Sequence, residues 1–348
     1  MFENPHQRTE LSSLGEFGLI NHLAASIKTS HATTIKGIGD DCAVTVGVNG
    51  LQLITTDLLM EGVHFDLSYC PLKHLGYKAA MVNLSDIYAM NGRPSQIVIS
   101  LGLSNRISLE AVEELYSGIL MACEKHGVDI VGGDTSSSKS GLVIGITAIG
   151  SVSPDRISYR NGAAVNDLIC VSGDLGAAYM GLQVLSREKR VFLENPQVQP
   201  DLTGADYILE RQLKPEARKN VIDALEDAGI IPTSMIDISD GLASELFHIS
   251  NASRTGCRIY EEKIPIDVET ARHAEEMNLN PLLAAMNGGE DYELLFTIKQ
   301  NDFEKIKSIN GIHVIGHVTE ESSGLALIDK SGHETSLKAQ GWDGLKSI

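Results

Sequence analysis

Basic residues are scarce in this chain. Lys and Arg number 28 against 46 Asp and Glu, a formal charge of −18 over 348 residues. Nonspecific nucleic-acid binding needs a basic footprint, so that class of partner is excluded. Cysteine is sparse too: Cys42, Cys70, Cys123, Cys170 and Cys257 are scattered and form no CxxC pair. That argues against a disulfide framework and a thiolate zinc site, and for a reducing compartment. No apolar run is long enough to span a membrane. The opening MFENPHQRTE lacks a charged region followed by an apolar core, so no secretory signal is expected. A soluble, cytoplasmic protein is the expectation, without membrane contact. The common phosphate-binding signatures are missing as well: no GxxxxGK[ST] segment, no GxGxxG leading a strand into a helix, and no protein-kinase runs. If this chain binds a nucleotide, metals, backbone amides and a few arginines must carry the phosphates.

Acids beside small residues are abundant. They recur in GIGDDCAV (37–44), ITTDLLMEGVHF (54–65), VNLSDIYAM (82–90), GGDTSSS (132–138), MIDISDGLASEL (235–246) and GGEDYELLFTI (288–298). Asp40, Asp41, Asp57, Asp86, Asp134, Asp237 and Asp240 mostly stand where a strand ends or a helix begins. Mg²⁺ takes oxygen ligands and is usually held by one or two carboxylates plus substrate phosphates. Thr55 and Thr56, directly before Asp57, add hydroxyl or carbonyl oxygens. Histidine and cysteine are rare around these acids, which suits a hard cation better than zinc. Each acid also has a plainer reading. Asp240 before an apolar stripe fits a helix N-cap, Asp134 after two glycines fits a turn, and Cys42 reads as a small buried residue or a reactive thiol. Asp86 is harder to explain that way, because it sits in a helical pattern flanked by apolar residues, where an unpaired carboxylate is costly. Recurrence at six sites points to a shared metal–phosphate centre. Arg160, in ISYRNGA, is a candidate phosphate contact or a surface turn residue.

Length predicts two domains with a boundary near residue 152. Strands are expected at 51–57, 95–103 and 141–152, then at the start of 168–176 and of 234–253, and at 292–298, 313–318 and 325–329. Tyr77, Met81, Leu84 and Tyr88 recur at helical spacing and face a core, with Asn83 and Asp86 on another face. Residues 108–127 open with Ser108 and close with Gly127, matching helix start and stop signals. Further helices are expected over 177–190, 215–229, 241–253 and near 301–309. The pattern reads as two α/β domains with mixed sheets.

GEFGLI, GIGDDCAV, TTDLLMEGVHF, NLSDIYAM, GGDT, IDISDGL and GGEDYEL occur in the order found in thiamine-monophosphate kinases, which the chain resembles from about residue 15 onward. That family shares a superfamily with aminoimidazole ribonucleotide synthetase, selenophosphate synthetase and a hydrogenase maturation factor. The resemblance implies an α/β (α+β) fold of two domains like that of aminoimidazole ribonucleotide synthetase. An N-terminal ATP- and Mg-binding domain (1–152) would pair into a β-barrel across a homodimer, beside a C-terminal α/β domain (153–348). It implies ATP-dependent phosphorylation of thiamine monophosphate to thiamine diphosphate, with several Mg²⁺ ions and ATP as co-substrate. Carried over, Asp41, Thr55, Thr56, Asp57, Asp86, Asp134, Asp237 and Asp240 are the metal ligands. Tyr116, Gly133, Asp134, Arg160 and Ser239 contact the nucleotide, and His64, Glu290 and Trp342 contact the substrate. By periodicity alone Tyr116 reads as core, and His64 as a structural histidine. The tail GWDGL lacks the His of the family's GYDHF-like ending.

The acceptor on this reading is a phosphate already anionic at neutral pH, so no obligatory general base is expected. Among the sister enzymes, selenophosphate synthetase carries a reactive Cys or selenocysteine with a lysine near its start, which nothing before Cys42 supplies. A hydrogenase maturation factor ends in cysteine, and this chain ends DGLKSI. Aminoimidazole ribonucleotide synthetase fits GIGDDCAV and GGEDYELLFT less well. A noncatalytic metal-binding protein of the same fold predicts metal binding without turnover.

Overall fold

The computed structural model describes Thr9, Leu19 and residues 22–36, 44–47 and 50–338. Asp40, Asp41, Cys42 and Trp342 lie outside the described residues. Two compact units are formed, 1–87 with 92–154, and 88–91 with 155–348.

In the first unit the short strands β1 (Thr34–Lys36) and β2 (Val44–Thr45) pair with each other. β3 (Leu51–Met60), helix α1 (Leu72–Ala89), β4 (Arg93–Leu103), helix α2 (Leu109–His126), β5 (Asp129–Ser137) and β6 (Val143–Val152) follow. The four long strands make one sheet in the order β3-β6-β4-β5, antiparallel except for β4 with β5. Strand alternation sorts its residues by face. Leu53, Leu59, Ile97, Ile99, Ile144 and Ile146 are buried, whereas Ile54 and Leu58 are 66% and 54% exposed. α1 lies against the buried face, where Ile87 comes close to Gly150 of β6.

Sequence periodicity assigned α1 one core face. In fact it is buried nearly all round, Asn83 as fully as Tyr77 and Met81. The reason is a second layer, α2, that packs at backbone distance. A Cβ on Gly76 would sit 1.9 Å from the Leu115 carbonyl oxygen, and one on Gly118 the same distance from that of Lys73. α2 starts and stops as expected. Ser108 accepts the Ala111 N–H at 3.3 Å, and Gly127 closes the helix at φ 69°.

The second unit runs β7 (Leu168–Ser172), α3 (Ala177–Glu194), α4 (Asp206–Leu213), α5 (Lys219–Asp227), β8 (Ser234–Asp237), α6 (Leu242–Ser253) and β9 (Thr255–Tyr260). Then come α7 (Val268–Glu276), α8 (Pro281–Asn287), β10 (Leu294–Ile298), α9 (Phe303–Ile306), β11 (Ile312–Glu320), β12 (Leu325–Ile328) and β13 (Glu334–Ser336). Its seven-stranded sheet has the order β13-β12-β9-β11-β7-β10-β8, antiparallel apart from β12 beside β9. One face buries Ile169, Val171, Ile236, Ile259, Leu295 and Ile315 against Leu242, Leu246 and Ile249 of α6. Both sheets are mixed, as the segment pattern indicates. α5 and α9 are shorter than expected, and α4, α7, α8, β1, β2, β5, β9 and β13 were not foreseen.

Candidate active site

On the buried face of the first unit's sheet, Thr55 and Asp57 point the same way because strand residues two apart share a face. Thr55 Oγ1 donates to Asp86 Oδ2 at 2.5 Å, across from β3 to α1. The Asp57 N–H donates to Asn83 Oδ1 at 3.0 Å, and Asn83 in turn donates to the Ala79 carbonyl one helical turn back. Asn83 and Asp86, three apart on α1, thus hold the middle of β3. Burial, and then the charge of Asp86, push the Asp57 carboxyl up to about 6. A cation between or beside them would favour ionisation of both acids.

Thr56 does not join them. It faces the opposite side of the sheet, donating to the Ile146 carbonyl at 3.0 Å and accepting from Thr147 Oγ1 at 3.1 Å. Asp134 is not brought to Asp57 either. Residues 132–134 are not a turn but lie inside β5, where Asp134 stands level with Ser100, and through it with Gly145 and Leu58. It is exposed, on the edge strand farthest from β3, and three strand spacings of about 5 Å separate the two. A Cβ on Gly133 would lie 2.2 Å from the Ile99 carbonyl oxygen, so that position admits only glycine. His64 sits on the loop after β3, its Nδ1 accepting the Met60 N–H at 3.1 Å, so the neutral ring carries its proton on Nε2. Tyr116 is half-buried on α2, and burial pushes its phenol up to about 12.

In the second unit Asp237 ends β8, buried, and Ser239 and Asp240 follow in the turn to α6. The N-cap reading of Asp240 is overturned. Gly241 takes the cap position at φ 118° with no side-chain cap bond, and Glu245 reaches back to accept the Asp240 N–H at 2.9 Å. Glu245 is itself buried. Desolvation drives it up to about 7, resisted by the bond from Asp240 and by Arg160, and reinforced by the charge of Asp240. Burial also raises Asp240, with His248 opposing. Arg160 is exposed, on a segment whose Tyr159 carbonyl accepts the Met235 N–H at 2.8 Å, which carries it alongside β8.

Gly-Gly-Glu-Asp-Tyr, 288–292, is laced to this turn. Glu290 N–H donates to the Ser239 carbonyl at 2.7 Å, and Tyr292 N–H to the Ile238 carbonyl at 2.9 Å. Glu290 and Tyr292 both sit at positive φ, 58° and 51°. What sequence reading missed is the support beneath them. Asp291 and Glu293 are 1% and 0% exposed. Asp291 Oδ2 accepts the Gly176 N–H at 2.8 Å. Glu293 accepts from Ser172 Oγ, from Arg211 at 3.0 Å and from Arg218. Arg211 also donates to the Asp174 carbonyl, and Tyr207 to the Asp174 carboxylate. Glu245 stood within MIDISDGLASEL without being singled out, and Arg211 and Arg218 carried no motif; acids and arginines spaced along helices look solvated until their partners are known.

Among the described residues no three His, Cys, Asp or Glu side chains converge into a ready metal cage. The oxygen donors present still suit a hard cation that completes its shell with water and phosphate oxygens.

Two family models match the chain: AIR synthase related protein, N-terminal domain, over residues 39–152, and the C-terminal domain over 165–328. Thiamine-monophosphate kinase of Aquifex aeolicus (strain VF5) is 35% identical over 332 residues, covering 95% of this chain and 98% of the relative. A solved structure, AaThiL complexed with AMPPCP and TMP, is 32% identical with a TM-score of 0.74 and covers 97% of this chain and 99% of that one. Escherichia coli HypE, a hydrogenase maturation protein, reaches a TM-score of 0.73 at 19% identity, covering 94% of this chain and 98% of that one. The last match is one of fold alone.

Proposed function

The chain belongs to the thiamine-monophosphate kinase family, and from that premise we propose how its residues move a phosphoryl group from ATP to thiamine monophosphate. It is an ATP-dependent kinase whose product is thiamine diphosphate. The observation that carries the mechanism is the Asp57–Asp86 pair. Asp57 on β3 and Asp86 on α1 are brought together by the Thr55–Asp86 and Asp57–Asn83 bonds between strand and helix, and burial and the charge of Asp86 keep Asp57 up at about 6.

Asp57, Asp86 and Thr55, with Asp41, would hold Mg²⁺ in the first unit, and Asp237 and Asp240 would hold it in the second. Bound there, Mg²⁺ supplies charge neutralisation between two anionic phosphates and an in-line template. Gly133, kept small by the Ile99 carbonyl beside it, would contact the nucleotide through its backbone. Arg160 and Ser239 bind the nucleotide phosphates, with Tyr116 a further nucleotide contact. His64 offers a proton-bearing ring nitrogen, and Glu290 a carboxylate, to the acceptor; Trp342 completes that set. The acceptor phosphate has a second ionisation at about 6, so it attacks as an anion and no side chain need take a proton.

A homodimer fits the exposed apolar residues on edge strand β3, Ile54 and Leu58. It also accounts for Thr56 and Asp134, which face the same side of the sheet from opposite edges. Pairing of the β3 edge with the β5 edge of a second copy would bring Thr56 to Asp134 of the partner subunit. A cytoplasmic location follows from the reducing environment inferred from cysteine usage; among the described residues no helix is long and apolar enough to cross a membrane.

The test is ADP formation from ATP and Mg²⁺, with and without thiamine monophosphate, with thiamine diphosphate followed by chromatography. Stoichiometric diphosphate requiring both substrates and Mg²⁺ is expected. ATP binding without diphosphate would discard the substrate and keep the fold.

A further inference from the structure

We propose that Gln212 is a positioning residue for the acceptor site, acting by holding the carboxylate of Glu290. The inference rests on the reading of Glu290 as an acceptor contact. The backbone of Glu290 is already pinned: its N–H is bonded to Ser239, its φ is in the left-handed region, and Asp291 and Glu293 on its C-terminal side are anchored in the buried arginine network. The carboxylate at the end of the long Glu290 side chain has a further point of attachment: Gln212 Nε2 donates to Glu290 Oε2 at 2.9 Å.

The helix that carries Gln212 is held from several sides. Gln212 itself is buried near the C-terminal end of α4. Tyr207 and Arg211 tie that helix to Asp174, and Arg211 ties it to Glu293. Against α3 the helix approaches so closely that a Cβ on Gly181 would fall 2.2 Å from the Ile208 carbonyl oxygen and 2.9 Å from Gln212 Cβ. α4 therefore splints the turn after β7 to the loop before β10, and Gln212 is the point where that splint touches a substrate-facing group. A neutral donor suits the task. It orients the carboxylate yet leaves its charge available to an acceptor carrying a cationic ring and an amine, where a lysine at 212 would spend that charge internally. Holding such groups in a productive geometry is what a supporting hydrogen bond contributes.

The experiment compares Gln212→Leu, Gln212→Glu and Glu290→Ala with the parent in steady-state kinetics, with thermal unfolding measured alongside. Gln212→Leu should raise KM for thiamine monophosphate by about tenfold, with kcat falling less than KM rises and KM for ATP moving less than about twofold. Gln212→Glu keeps the shape, sets a second carboxylate against Glu290, and should raise the same KM further. In the double variant Gln212→Leu with Glu290→Ala, the two effects should not add. If Glu290→Ala raises KM but neither Gln212 variant does, the positioning role is overturned and the reading of Glu290 stands. If Glu290→Ala leaves KM unchanged, the premise has failed. Equal loss of both substrates' KM together with a lowered Tm in both Gln212 variants would make Gln212 structural only, which also overturns the proposal.

Discussion

Two buried acids in this chain, Glu293 and Asp57, are treated in opposite ways. Glu293, beneath the second unit's loop, receives bonds from the guanidiniums of Arg211 and Arg218, whereas its neighbour Asp291, with Arg211 at 4.0 Å, is still pushed up to about 7 by burial. Asp57 in the first unit feels burial and the charge of Asp86, and both influences push its carboxyl toward the neutral form. Burying charge is costly unless it is paired. A permanent partner makes an acid structural, whereas an acid left under repulsion is suited to a cation that arrives with the substrate. The comparison separates scaffold from working site more sharply than residue type or burial does.

Breaking the paired group should have the largest effect. Arg211→Leu leaves Glu293 and Asp291 buried with much of their compensation gone, and should cost about 3–5 kcal/mol. Urea unfolding reads this directly. A loss below about 1 kcal/mol would mean that the network behaves like surface charge and that the contrast between the two groups is false.

Breaking the other group should spare stability and remove activity. Asp57→Asn keeps the side chain's shape and removes the charge, so turnover should fall by about 10²–10³-fold. The metal-free protein at pH 8 should meanwhile melt no lower than the parent. Steady-state kinetics and a thermal melt on one preparation test both halves. A marked drop in Tm together with retained turnover would place Asp57 in the scaffold.

The same contrast has a pH signature. Asp57 is raised from 3.8 to about 6, so the native state holds a proton that the unfolded chain releases earlier. Metal-free stability from this group is therefore present at low pH and is lost as pH rises from about 4 through about 6. Added Mg²⁺ should reverse the trend, since it binds the ionised form and stabilises the native state by mass action. Denaturation midpoints between pH 4.5 and 8, with and without Mg²⁺, should diverge as pH rises. Asp57→Asn should flatten the metal-free curve over that interval.

How far all this was legible in the sequence depends on where each residue's partners lie. α2 was readable end to end, because Ser108 and Gly127 are local signals that act within a turn. α1 was placed correctly and its burial underestimated, because Gly76 and Gly118 reveal their close helix contact only once the helices are paired. Two adjacent glycines made 132–134 look like a turn, since glycine is poor in strands; pairing with β4 overrode that propensity. α4 was invisible for a different reason. Its ordered face is Tyr207, Arg211 and Gln212, polar residues whose partners Asp174, Glu293 and Glu290 are more than thirty residues away. The acids near Gly and Ser could be found by pattern, and their roles came from family resemblance. The arginines that quench a second set of acids could be found only in three dimensions.

Glu245 gives the smallest effect and tests the rule at its boundary. It is buried like Glu293, yet its help is partial: the Asp240 N–H and Arg160 favour its charge, while desolvation and Asp240 itself oppose it, leaving it up at about 7. Glu245→Gln retains an oxygen that can accept the Asp240 N–H and removes the charge that repels Asp240. At pH 8 the metal-free variant should therefore lie within about 1 kcal/mol of the parent, on the stable side. The sign reverses as pH falls, because the parent regains stability on protonation from about 7 down toward 4.5 and glutamine cannot. Unfolding midpoints of the two proteins at pH 8 and pH 5 should cross or converge. A clear loss at pH 8 would show that the charge of Glu245 is needed in place, paired as firmly as Glu293. Glu245 would then stand with Glu293, on the other side of the contrast from Asp57.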